Sequence, residues 1–112
     1  MRIAVSYEDG NVFEHVGDTE TFKLYDVEDG KVVKTEILKA EGTGRDMVID
    51  FATAHKVEVM ICGRICGGAK DALAESGVTT FGCVTGDADA AVEAYIKGTL
   101  DDFGTSVCEH ND

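Results

Sequence analysis

The sequence predicts an α/β domain: antiparallel strands first, then alternating helices and strands, combined in one mixed five-stranded sheet with helices on both faces. Two observations carry this prediction. Residues 2–38 alternate apolar and polar side chains around an Asp29-Gly30 pair, and from residue 43 onward the apolar residues recur at helical spacing between short apolar runs. An Asp-Gly pair between two such segments signals a tight hairpin, because it supplies the positive φ that two-residue turns require. Short apolar runs between helices are the pattern of buried parallel strands.

In chain order, Arg2 to Tyr7 reads as a strand and Glu8-Asp9-Gly10-Asn11 as a turn. Residues 12–21 read as a loop pivoting on Gly17. Phe22 to Glu28 and Lys31 to Leu38 form the predicted hairpin. Thr43, followed by Asp46, resembles a capping box and should start a helix over residues 45–55, with Met47, Val48, Phe51 and Ala52 on one face. Val57 to Cys62 is the next strand. A helix then opens at Cys66 or Gly67 and ends at Gly77. Val78 to Val84 is the last strand, and Asp87 caps a final helix that stops at Gly98. Residues 1–100 are expected to form one domain and residues 101–112 a polar C-terminal tail.

The 112 residues include 22 Asp and Glu against 10 Lys and Arg, a formal charge of −12. Nucleic-acid affinity rests on cations that neutralise phosphates, so a nucleic-acid partner is not expected. Anionic membranes are disfavoured for the same reason. The charge is expected to keep the protein soluble or to steer it toward a basic protein partner. No apolar run reaches the 18 or so residues of a membrane span, and no signal-peptide pattern opens the chain. A reducing cytoplasm is therefore expected, where cysteines serve as thiols, metal ligands or redox groups rather than structural disulfides.

In parallel α/β units, ligands bind beyond the carboxyl ends of the strands. Cys62, Cys66 and Cys83 are expected at that edge, together with the loop that carries His15. Cys66 at a helix start should be enriched in thiolate. Gly63, Gly67 and Gly68 would let backbone N–H groups approach an anion, and Arg64 could neutralise an anionic ligand. Thiolates with a histidine are soft ligands, which makes His15, Cys62, Cys66 and Cys83 a candidate metal set. Each has a plainer reading. Cys62 and Cys83 would suit core packing, the glycines could serve only a tight turn, and His55 reads as a helix-end residue offsetting the dipole. Cys108-Glu109-His110 could chelate a metal or belong to a solvated tail. No hydrolase motif or phosphate-binding Walker loop is present.

The chain also resembles the dinitrogenase iron–molybdenum cofactor biosynthesis family. The residues that carry the resemblance are His15-Val16-Gly17, Phe22, Tyr25-Asp26 and the Asp29-Gly30 hairpin, then the CGRICGGAKDALAESGV segment and the closing VEAYIKGTL. The resemblance implies a ribonuclease-H-like three-layer fold without nuclease activity. It also implies that His15 belongs to the site, and that the protein binds or carries an iron–sulfur or iron–molybdenum-type cluster during cofactor assembly, without enzymatic activity. Two other functions fit the residues: a thiol redox protein or sensor using Cys62 and Cys66, and a regulatory adaptor with no ligand.

Overall fold

The computed structural model describes residues 1–100; the expected tail and Cys108-Glu109-His110 lie outside the described residues. Strand β1 (Arg2–Glu8) occupies the centre of the sheet. Strands β3 (Thr21–Glu28) and β4 (Lys31–Lys39) form the hairpin, with Asp29 at φ 52° and Gly30 at φ 74° in its turn. After these come α1 (Gly44–Ala54), β5 (Val59–Ile61), α2 (Gly67–Glu75), β6 (Thr79–Phe81) and α3 (Ala88–Lys97). The strand order is β4-β3-β1-β5-β6. β3 runs antiparallel to β1, whereas β5 and β6 run parallel to it. This is the expected ribonuclease-H-like arrangement.

The sheet has six strands rather than five. The additional strand, β2 (Asn11–Val12), pairs with the end of β1 through Tyr7↔Val12 and Glu8↔Asn11. Its turn holds Asp9 at φ 47° and Gly10 at φ 88°. That is the same Asp-Gly chemistry as the β3–β4 turn, and it converts an expected plain turn into a second hairpin. Two residues are too few to show an alternating pattern, which is why periodicity alone passes over β2.

Alternation in the strands divides the core into two layers. Ala4, Phe22, Leu24 and Met60 face α1 and α2, where they meet Val48, Phe51 and Leu73. Ile3, Val5, Tyr25 and Ile61 face α3, where they meet Ala88, Ala91 and Val92. Phe22 and Phe51 stack with ring centroids 4.3 Å apart. Burial of this many apolar side chains is the main force holding the layers together.

The helix starts differ. Asp87 accepts a hydrogen bond from the Ala90 N–H at 2.8 Å, as expected of an N-cap. Thr43 occupies the N-cap of α1 in extended geometry, but its side chain makes no capping bond, so the expected capping box does not form. His55 is the C-cap of α1, and its ring packs 4.4 Å from that of Phe51.

Candidate functional site

Beyond the carboxyl ends of β1 and β5, two chain segments are pinned together by backbone alone. His15 and Arg64 form an isolated parallel bridge. The Val16 N–H donates to the Arg64 carbonyl at 3.2 Å, and the Arg64 N–H donates to the Glu14 carbonyl. Gly63 makes this crossing possible, because a Cβ there would overlap the carbonyl oxygens of Phe13 and Glu14. The buried Ser6 hydroxyl fixes the same loop by donating to the Phe13 carbonyl at 3.1 Å.

This crossing forms one wall of a cleft of about 190 Å³. His15, the short 3-10 turn at Val16–Asp18, and Arg64 line one side. Arg45 and Val48 of α1, with Ile65, Cys66 and Ala69 at the start of α2, line the other. Cys66 is the N-cap of α2 in extended geometry and is exposed. The first turns of two helices thus border one opening, and their N-terminal partial charge favours an anion there.

Two of the chain's three arginines stand at this cleft. The third, Arg2, is engaged elsewhere: its Nε donates to Asp26 Oδ1 at 2.9 Å and its Nη1 to the His55 carbonyl at 2.9 Å. Arg64 lies 3.8 Å from Glu14 Oε1, an exposed pair of small energetic value. Arg45 forms no ion pair among the described residues, in a chain with 22 carboxyl side chains.

The structure therefore brings together His15, Arg64 and Cys66 of the residues singled out from sequence, and adds Arg45. Gly63, Gly67 and Gly68 belong to the adjoining backbone and do not line the cleft. Cys62 is fully buried in the core under α1 and α2, where its thiol donates weakly to the Phe81 carbonyl at 3.8 Å. Cys83 does not line the cleft either and, contrary to expectation, is disulfide-bonded rather than a free thiol, so it is no metal ligand; its N–H donates to the Gly63 carbonyl at 2.8 Å and its φ is 58°. The strand ends do bring the three cysteines to one edge in the backbone sense, but their side chains take separate environments. Among the described residues, no three His, Cys, Asp or Glu side chains are grouped to hold a metal ion. Cys62 and Cys66 are not joined to each other: one sulfur is in the core and the other at the surface. Arg45 gave no local signal, because an arginine in the first turn of an amphipathic helix ordinarily reads as solvated surface.

In α/β domains, clefts beyond the carboxyl ends of the strands are where ligands commonly bind, and this cleft lies there with two arginines and Asp18 in its lining. The chain belongs to the dinitrogenase iron–molybdenum cofactor family, whose profile matches residues 1–98. Its fold is shared by PH0822, at 24% identity and a TM-score of 0.83 over 92% of this chain and 95% of that one. The apo form of the orange protein from Desulfovibrio gigas is similar at 20% identity and a TM-score of 0.79, over 93% of each chain. A Thermotoga protein provisionally named NifB is similar at 26% identity and a TM-score of 0.69, over 93% of this chain and 94% of that one. No curated protein matches the chain. No helix among the described residues is long and apolar enough to cross a membrane.

Proposed function

We propose that this protein is a non-enzymatic carrier for an anionic iron–sulfur or iron–molybdenum-type cluster, held as cargo in the cleft between His15, Arg45, Arg64 and Cys66. One observation carries the reading: in a chain of formal charge −12, two of three arginines converge with a histidine and an exposed thiol on one cleft. Metal–sulfur clusters with sulfide at their periphery are anionic, and arginine N–H groups donate to such a surface without displacing its ligands. Cys66 supplies one soft donor at the mouth. One thiolate and several hydrogen-bond donors make a site from which cargo can leave, whereas a full set of chelating thiolates would retain it. The family supports the cargo class, and the relative described in an apo form supports a protein that exists with and without its ligand. The acidic surface elsewhere would dock the loaded carrier on a basic partner in cofactor assembly in the cytoplasm.

Purification without oxygen, followed by addition of iron and sulfide with molybdate or of an isolated cluster, tests the proposal. The expected result is visible absorption and protein-bound metal that co-elute with the chain. His15→Ala with Cys66→Ser should reduce loading at least tenfold. Absence of uptake, or undiminished uptake in that double variant, would sink the proposal.

A further inference from the structure

We infer that Arg45 is the principal charge-reading residue of this cleft and that Gly68 is its positioning residue, kept side-chain-free so that the guanidinium can lie over the start of α2. The inference rests on the carrier reading above and specifies how its site selects cargo. Arg45 is the second residue of α1. Gly44 precedes it at φ 86°, a backbone conformation that L side chains rarely adopt. A Cβ on Gly17 would lie 3.6 Å from Gly44 Cα, so the 3-10 turn packs closely on the start of α1. The backbone thus sets where Arg45 emerges.

Gly68 sets where its side chain ends. A Cβ at residue 68 would stand 3.3 Å from Arg45 Nη1, closer than side chains normally pack. Gly68 is the second residue of α2, where alanine is the better helix former. A locally unfavourable residue beside a cation that has no ion-pair partner among the described residues marks a position kept for the site rather than for the helix. Arg64 is already partly answered by Glu14, and Arg2 by Asp26, whereas Arg45 forms no ion pair among the described residues, although Asp18 also lines the cleft. A cation in that position favours a ligand with at least two negative charges: one meets Arg45 directly and another competes with Glu14 for Arg64.

Tetrathiomolybdate, a small molybdenum–sulfide dianion with visible absorption, is a suitable probe of the full chain. Arg45→Ala should weaken its binding about tenfold and flatten its dependence on ionic strength, as expected for one lost charge-assisted contact. Gly68→Val should weaken binding about threefold to tenfold, and Gly68→Ala by less, since a methyl group needs only a small shift of the guanidinium. In an Arg45→Ala background, Gly68→Val should have no further effect, an outcome that general damage to α2 would not produce. Equal losses from Gly68→Val in both backgrounds, or unchanged binding in Arg45→Ala, would overturn the inference. If binding is lost in Arg64→Ala and His15→Ala but retained in Arg45→Ala, the carrier reading stands and this inference alone falls. If the unaltered protein takes up neither this probe nor the cluster, both fall together.

Discussion

Gly63 shows how one atom's absence can shape a site. The segments 13–15 and 63–65 meet through backbone carbonyl and N–H groups, and the space a Cβ would need is filled by the carbonyls of Phe13 and Glu14. Backbone cannot yield as a flexible side chain can. Gly63→Ala should therefore destabilise the protein by about 2–3 kcal/mol, the range of overpacked cores, measured by denaturant unfolding. It should also separate His15 from Arg64, so that cluster uptake falls even where the protein remains folded. Gly68 behaves differently, because its neighbour is the end of an arginine side chain. Gly68→Ala should leave stability unchanged or raise it by up to about 1 kcal/mol through helix propensity.

At the scale of elements, the three helices are anchored by different means. α3 has a capping carboxylate in Asp87 and a left-handed C-cap in Gly98 at φ 76°. α1 and α2 lack side-chain caps at their N-termini. Neither start is closed by a hydrogen bond from its N-cap side chain, so local capping contributes less to α1 and α2 than to α3. Asp87→Ala should cost about 1 kcal/mol by denaturant unfolding and leave cluster uptake unchanged, since α3 covers the opposite face of the sheet. The same comparison explains why part of this anatomy was legible in the sequence. Asp87, Gly98 and the Asp29-Gly30 turn act through neighbours within three or four residues. The crossing of residues 13–15 over 63–65 joins positions about fifty apart, and no local pattern encodes it.

Across the whole molecule, α3 is tied to the sheet by a polar contact as well as apolar packing. The Tyr25 hydroxyl and Lys23 Nζ both donate to Asp89 Oδ1, and Lys23 lies 5.1 Å from the Tyr25 ring centroid. Burial first, and the Asp89 carboxylate second, push the Tyr25 phenol pKa up, so it remains a donor. The hydrogen bond from Tyr25 first, then that from Lys23, holds the Asp89 carboxyl below the usual carboxylate range. Asp26 is lowered chiefly by its hydrogen bond from Arg2. Because both folded-state values are depressed, these groups contribute stability above the ordinary carboxylate pKa of about 4 and lose it as pH falls below. Stability measured by denaturant unfolding should be flat from pH 7 to about 5 and then fall. Asp89→Asn should make that acid fall shallower. Asp89→Ala should cost about 1–2 kcal/mol at neutral pH by leaving the mostly buried Tyr25 hydroxyl without its acceptor.

The sequence by itself determined the order of the three helices and the five longer strands, the mixed sheet, the Asp29-Gly30 turn and the acidic composition, and it located His15, Arg64 and Cys66 near the strand ends. The elements follow from short-range rules (alternation, helical spacing, capping residues and turn glycines), the acidity from composition, and the family from a resemblance carried by its motifs. Only the tertiary structure decided which side chains share the cleft. It placed Cys62 in the core and Cys66 at the surface, although four positions separate them, because a strand end and a helix start direct side chains differently. It brought Arg45, from a helix that showed no functional signal, against Gly68 of another. The physical reason is that a site is defined by the orientation of side chains across elements, and orientation is fixed only when the layers pack.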